Sequence, residues 1–384
     1  MKANQSVENY DSRIREYANY SFRQSRNICK TIGKREAGSE EEKNLAKHIQ
    51  KELETCADEV KVEEFNFCKD FKILQNKVGA ICFIFAAALV LATILFGITA
   101  LCYAAIGVSV VGIILSLTGK AYAPKKLTSQ NVYAIKKPSG EAKNRIVFVS
   151  NTDCVRTAKL TGIFLKIMSI ISAVCVVCVS AYILSFENTQ IMKYLAIPVA
   201  AFTIFDVIIL FSSYTGVLDG ANKNLSGIFT SIAVLKYLKD MNISLEKTEI
   251  EIVVTGAHEA SISGANEFVK KHKNDLKDIY TKIVCLDTLR KDKNLRIEAE
   301  NISSKTVKEI LDSAKENDID LSVKTPSFLS DAKAFSKEGF DAVTLTAASE
   351  NFEKEEDTYE DMKIKTIEMT LKTIMQELFF VDEK

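Results

Sequence analysis

The chain has 384 residues, and its 50 lysine and arginine residues balance 50 aspartate and glutamate residues, so the formal charge at pH 7 is zero. A chain without net positive charge has no global attraction for a polyanion, which excludes nucleic acid as an expected partner. The length fits two domains, or one large α/β domain with insertions. The apolar residues are concentrated in two blocks, so average composition does not describe this protein.

The first predicted element that carries a clear start signal is an amphipathic helix after Ser39. Ser39 and Glu42 have the spacing of a capping box, which satisfies exposed N–H groups at a helix start. Apolar residues then recur at helical spacing. They are Leu45, Ala46, Ile49 and Leu53.

Two apolar blocks predict four membrane-spanning helices. No charged residue occurs from Val78 to Gly119, and a span needs about 20 apolar residues, so this block predicts two helices joined by a turn near Gly97. The second block, Leu160–Ser213, has a polar break at Ser185–Gln190 and also predicts two helices. We expect two hairpins, at 77–119 and 158–213, embedded in the lipid bilayer. A buried soluble core is the alternative for either block.

Basic residues predict the orientation of these helices. They lie on the flanks that lead back to the rest of the chain, and the two opposite turns carry almost none. The positive-inside rule then places the soluble part and both termini in the cytoplasm of a cell with the protein in its membrane. The basic flanking residues are Lys69, Lys72, Lys77, Lys120, Lys125, Lys126, Arg156 and Lys159.

Asp206 lies inside the fourth predicted span. An intramembrane carboxylate is a functional candidate, because placing a charge in the bilayer is costly. A capping role, or pairing within the hairpin, would explain it equally well.

The remaining residues, 1–76, 120–157 and 214–384, predict one discontinuous α/β domain. Helical patterns separate short β-branched runs, which indicates a mixed, mostly parallel sheet with helices on both faces. The last predicted helix is Met362–Leu378. The predicted strands are Arg145–Ser150, Glu249–Thr255, Lys282–Leu286 and Ala342–Thr346.

The loop Gly220–Gly227 reads GANKNLSG and opens a helix, and such loops place polar side chains at the edge of an α/β sheet. It resembles the Gly-x-x-Asp-Asn-x-Ser-Gly loop of metallopeptidase family 28, the two-zinc aminopeptidases. Four further segments resemble that family in the right order. They are Gly33–Ser39, Gln130–Asp153, Thr255–Val269 and Ser330–Leu345.

The resemblance implies a site in which most of the family's metal ligands are replaced. The first histidine ligand falls on Asn151, the bridging aspartate on Lys223 and the last histidine on Glu353. Only Glu259 and Asp287 keep ligand residues, one for each metal. Zinc favours imidazole and usually has three protein ligands in catalytic sites, so we expect no metal here.

Two further positions follow from the same resemblance. The general base that activates the metal-bound water falls on His258. The aspartate that orients the first histidine is retained as Asp153. His258 is thus either a catalytic acid or base, or a satisfied polar residue at a strand end.

Charge suggests a role for Lys223. The carboxylates of Asp153, Glu259 and Asp287 would converge without a metal, and like charges at close range destabilise one another. An ammonium group among them would replace part of the metal charge, so we expect a binding pocket of these four residues. Alternatively, Lys223 points into solvent, and Glu353 belongs to a solvated acidic loop.

Two functional readings follow. The first is a multi-pass membrane protein with a non-hydrolytic domain of this fold, which binds a peptide, an amine or another membrane protein. The second is a membrane-bound exopeptidase with a remodelled site, in which zinc binds or His258 acts without a metal. Ser226 and Cys154 are candidate nucleophiles for that reading. A transporter, based only on Asp206 and four spans, has little support.

Overall fold

An eight-stranded sheet organises the α/β part of the chain, in the order β1-β2-β6-β3-β7-β10-β8-β9. Strands β3, β6, β7 and β10 run parallel, while β2 and β8 pair antiparallel with their neighbours β6 and β10. The mixed, mostly parallel sheet predicted from the sequence is confirmed. The strands are β1 (Glu59–Cys68), β2 (Lys126–Lys136), β3 (Asn144–Asn151), β6 (Thr248–Thr255), β7 (Tyr280–Leu286), β8 (Arg296–Ala299), β9 (Ser322–Lys324) and β10 (Asp341–Thr346); β4 (Arg156–Ala158) and β5 (Tyr214–Val217) form a separate pair.

This computed structural model describes residues 2–68, 71–118, 126–158, 162–186, 189–211, 214–290, 295–348 and 357–384. The chain forms two compact units. The α/β unit comprises Met1–Phe67, Leu127–Arg156 and Val217–Lys384, and the four-helix unit comprises Cys68–Lys126 and Thr157–Gly216. The boundaries expected from the sequence, at 76, 120, 157 and 214, stay a prediction.

Helices cover both faces of the sheet because alternate residues of its central strands are apolar on both sides. Ile146 and Phe148 of β3 join the core on one face, and Val147 and Val149 join the core on the other. The first face packs against α1 (Tyr10–Thr31), α2 (Glu40–Glu54), α7 (Ser226–Asp240), α9 (Lys305–Lys315) and α11 (Ile364–Glu383), and the second against α8 (Ser263–Lys277) and α10 (Ala332–Lys337).

The predicted start of α2 is confirmed, but Glu42 does more than cap. The Glu42 N–H donates to Ser39 Oγ at 3.2 Å, and the carboxylate accepts from the N–H of Gly38 at 2.7 Å. The same carboxylate accepts from Thr152 Oγ1 at 3.0 Å and from the N–H of Ala257 at 2.9 Å. Glu42 therefore ties α2 to the ends of β3 and β6.

The carboxyl ends of the parallel strands bring the functional candidates to one sheet edge. Asn151, the last residue of β3, pairs with Thr255, the last residue of β6. Asp287 directly follows β7. In open α/β sheets this edge is where sites form, because the loops after neighbouring parallel strands meet there.

The four-helix unit consists of α3 (Phe71–Phe96), α4 (Ala100–Thr118), α5 (Gly162–Ser185) and α6 (Thr189–Phe211). All four are long and apolar enough to cross a membrane, with mean hydropathies of 2.3 to 2.7 in their apolar segments. The turn predicted near Gly97 is present, and Gly97 has a φ of +74°, which suits glycine after a helix end. The α3 helix begins at Phe71, earlier than the predicted start at 77.

Candidate functional site

Lys223 lies in a buried π-helical turn, Ala221–Leu225, between β5 and α7. Gly220, just before the turn, has a φ of +64°, which glycine adopts without steric cost. A Cβ at this position would come within 2.3 Å of Asn224 Oδ1. Single π-turns are frequent at functional sites, and this one directs the Lys223 side chain into the protein.

Asp357 fixes the backbone of this turn. Its carboxylate accepts from the N–H of Asn222 at 2.7 Å and from the N–H of Lys223 at 3.1 Å. The Asn222 side-chain amide donates to the same carboxylate at 2.9 Å. Asp357 matches an aspartate of the family pattern, and here it holds the loop.

The Lys223 side chain makes an ion pair with Glu259. Lys223 Nζ lies 2.8 Å from Glu259 Oε1, and the two side chains are 6% and 21% exposed. Lys223 therefore does not point into solvent. A cation at the position of the family's metal-bridging aspartate binds a carboxylate that ligates metal in the family.

Asp153 holds the segment that carries His258 and Glu259. Its two carboxylate oxygens accept from the N–H of His258 at 2.7 Å and from the N–H of Glu259 at 2.8 Å. Burial, and then the nearby Glu42 carboxylate, raise the pKa of Asp153 to about 7. Asp153 is fully buried, so it supports the site from beneath and does not itself face a ligand.

His258 forms a second buried ion pair, with Asp331. His258 Nδ1 lies 2.8 Å from Asp331 Oδ1, and the side chains are 3% and 4% exposed. Burial lowers the pKa of His258, but the Asp331 carboxylate more than reverses this and brings the pKa to about 9. The other Asp331 oxygen accepts from Thr255 Oγ1 at 2.6 Å. His258 is a cation at neutral pH.

Asp287 is the third buried carboxylate of the site. Burial raises its pKa, while the positive charges of Lys223 and His258 lower it. Thr288 Oγ1 donates to Asp287 Oδ1 at 2.6 Å, and the Thr288 N–H donates to the Lys223 carbonyl at 3.2 Å. These bonds join the end of β7 to the Lys223 turn.

Strained backbone surrounds these carboxylates. Thr288 has a φ of +56°, and Ala257, Ser261 and Ile262 have φ values of +50°, +67° and +51°. Left-handed conformations are unfavourable for such residues and persist where the surrounding structure over-determines them, commonly at functional sites. The strain marks the segments that hold His258, Glu259 and Asp287.

Several positions lie differently from what a hydrolase site needs. Asn151 Nδ2 donates to the Asp153 carbonyl at 3.1 Å, so this amide is used inside the protein. Ser226 Oγ donates to the Asn222 carbonyl within its own helix turn. Burial raises the pKa of Cys154 to about 11, which keeps its thiol protonated. Neither nucleophile candidate is activated. Glu353 falls outside the described residues.

The donor set does not fit a pair of zinc ions. No group of three or more histidine, cysteine, aspartate and glutamate side chains that could hold a metal occurs within the described ranges. Glu259 and Asp287 are close to cationic side chains from the chain itself. An ammonium group has no lone pair for a metal and repels one.

Sequence reasoning missed three residues of this site. Asp331 lies in a segment that resembles the family, yet its partner His258 was not foreseen. Glu42 was assigned only to helix capping. Arg35 is fully buried and donates to the carbonyls of Thr152, Asp219 and Gly220 at 3.1, 2.9 and 3.2 Å. The only available signal was their place inside recognisable motifs.

Comparison with known proteins agrees with this fold. The sequence model of peptidase family M28 matches residues 206–378. No curated protein sequence matches the chain. The predicted resemblance to family 28 is confirmed: the α/β unit is M28-like, with the family match covering its C-terminal part.

Solved structures show the same fold at low sequence identity. A glutaminyl cyclase from Fimbriiglobus ruber is similar, with a TM-score of 0.58, 13% identity, and coverage of 94% of this chain and 94% of that chain. A zinc aminopeptidase from Bacillus subtilis gives 0.58, 14% and 95% of each chain. LapB from Legionella pneumophila gives 0.55 and 12%, and covers 98% of this chain and 76% of its own.

Replacing Lys223 by methionine tests the charge balance. We expect Lys223→Met to lower the free energy of unfolding near pH 7 by about 3 kcal/mol, because it leaves the carboxylate of Glu259 unpaired. Lys43→Met is the matched control, since Lys43 makes an exposed ion pair of similar length, 2.9 Å, with Glu40, worth less than about 1 kcal/mol. Adding Glu259→Gln should restore most of the loss. Equal losses in the Lys223 and Lys43 variants, measured by denaturation in detergent, would contradict the account.

The His258–Asp331 pair predicts a pH dependence. The pKa of His258 is about 9 in the folded protein and about 6.5 in the unfolded chain. The pair therefore stabilises fully below about pH 6.5, by about 3 kcal/mol, and this contribution is lost as pH rises through about 9. The difference in unfolding free energy between wild type and His258→Gln should shrink over that range. A difference that grows with pH would show that His258 is buried as a neutral imidazole.

Proposed function

We propose that this chain is a multi-pass membrane protein whose M28-like unit lies in the cytoplasm and binds a ligand without zinc-dependent hydrolysis. One observation carries the proposal: Lys223 Nζ lies 2.8 Å from Glu259 Oε1, at the position of the bridging aspartate. The charge that two metal ions would supply comes instead from side chains of the chain.

The energetic argument concerns what a metal would have to displace. A zinc ion between Glu259 and Asp287 would force the Lys223 ammonium out of its ion pair, while the backbone of the turn is fixed by Asp357. Lys223 is 5% exposed, so an unpaired ammonium would remain in a poorly solvated place, at high cost. The site therefore favours its own cation over a metal.

A hydrolase without metal would need a general base. His258 stands at that position, but an imidazole with a pKa of about 9 is protonated at neutral pH and has no lone pair to accept a proton. Asp331 stabilises this charged form. The pair supports a structural or binding role rather than a base.

We propose a peptide, or a segment of another membrane protein, as the ligand. The structural neighbours include aminopeptidases, and the loops at the same sheet edge are retained in this chain together with their strained backbone. Strain kept at a site without metal chemistry is what a binding role would preserve.

The cytoplasmic placement rests on the basic flanks of the four apolar helices. We expect a green fluorescent protein fused after Lys384 to fluoresce in a bacterial host, and alkaline phosphatase fused at Gly97 to be active outside the inner membrane. Exchanging the two reporters gives the control. Active phosphatase at the C-terminus and inactive phosphatase at Gly97 would reverse the proposed orientation.

Metal content and hydrolysis test the absence of zinc chemistry. Purified full-length protein should hold far less than one zinc per chain and release no product from a panel of aminoacyl reporters. As a matched gain-of-site control, we propose the combined variant Asn151→His, Lys223→Asp, His258→Glu and Glu353→His, which restores the family's ligand types and should raise bound zinc. Stoichiometric zinc in the wild type, or reporter release abolished by Glu259→Ala, would establish the exopeptidase alternative.

A further inference from the structure

A buried polar group lies in the four-helix unit, centred on Asp206 of α6. The Asp206 side chain is fully buried by the helices themselves, and Ser169 of α5 donates its hydroxyl to Asp206 Oδ1 at 2.5 Å. The other carboxyl oxygen, Oδ2, has no hydrogen-bond partner within the described residues, and neither has the buried hydroxyl of Ser172. A buried carboxyl group with an unused oxygen is unfavourable in apolar surroundings unless it takes up a positive charge.

A small cavity adjoins this group. Its volume is about 10 Å³, close to the least space that holds one water molecule. Ser169 lines the cavity and also donates to Asp206, so it links the two. The other polar residues of the lining are Asn76, Ser116 and Lys166.

The cavity lies near one end of the helices. Asn76 and Lys166 are near the beginnings of α3 and α5, while Ser116 and Ile209 are near the ends of α4 and α6. Such a position is close to a membrane surface, where water reaches a polar cavity more readily than at the bilayer centre. Asp206 is therefore shielded from lipid but separated from water by a short polar path.

We propose that Asp206 is a reversible proton-binding site, which exchanges its proton with water through the cavity beside Ser169. In the step, a hydronium ion gives its proton to Asp206 Oδ2, so the carboxylate becomes a carboxylic acid and a water molecule is left. The reverse step returns the proton to water and restores the charge inside the helices. The proton count and the charge balance in both directions.

The neighbouring groups favour a proton over a metal ion. The charged and titratable side chains that α3 and α5 carry toward this end are Lys72, Lys77, Cys82 and Lys166. Lysine cations oppose a second metal cation, and three oxygen-bearing side chains are fewer than the six to eight oxygens that calcium takes. A single proton needs only the one unpaired oxygen.

Labelling with dicyclohexylcarbodiimide tests the proposal, because this apolar reagent reacts with protonated carboxylic acids. We expect full-length protein in detergent to gain one carbodiimide per chain on the peptide that contains Asp206. The extent should fall at least tenfold from acidic to alkaline pH, and Asp206→Asn should abolish it. Ser180→Ala is the matched control, since Ser180 is another buried serine of α5 with an unpaired hydroxyl, and it should label as the wild type does.

Infrared difference spectra at acidic and alkaline pH give a second readout that does not depend on access by the reagent. A carboxylic acid C=O band that appears reversibly at acidic pH, and is missing in Asp206→Asn, is the expected result. Labelling that is absent or independent of pH, together with no reversible band, would overturn the proposal and make Asp206 a fixed hydrogen-bonded link between α5 and α6.

Discussion

Three buried or nearly buried carboxylates, of Glu259, Asp287 and Asp331, share one edge of the sheet, and the fold at this edge depends on how their charge is neutralised. The chain supplies two cations for this purpose. Lys223 binds Glu259 and His258 binds Asp331, at 2.8 Å in each case. Removing one partner of a buried pair is strongly destabilising, so the two pairs constrain every substitution at this edge.

The fold positions these charges through layers of hydrogen bonds below them. Asp153 holds the N–H groups of His258 and Glu259, and Glu42 holds Thr152 and Ala257. Carboxylates that accept backbone N–H groups fix a loop without needing a ligand. The same layering would keep a metal site rigid, and here it keeps a binding surface rigid without metal. A fold can thus outlast the chemistry of its relatives.

Much of the architecture could be predicted from the sequence, because apolar periodicity and β-branched runs report local structure directly. The strands from β3 to β10 that end at the site were found, as were the apolar helices, since an uncharged run such as Val78–Gly119 is unmistakable. The His258–Asp331 pair could not be found. The two residues are far apart in the chain, and only the sheet topology brings the loop after β6 beside the start of α10. Likewise, the strained φ of Thr288 has no local sequence signal.

Anomalous X-ray scattering at the zinc absorption edge, on crystals of the full chain soaked in zinc, tests the central claim most directly. If Lys223 replaces the metal, no anomalous peak should occur between Glu259 and Asp287, and the density should show Lys223 Nζ at hydrogen-bonding distance from Glu259. A peak at coordination distance from both carboxylates, with the Lys223 side chain turned away, would contradict the account.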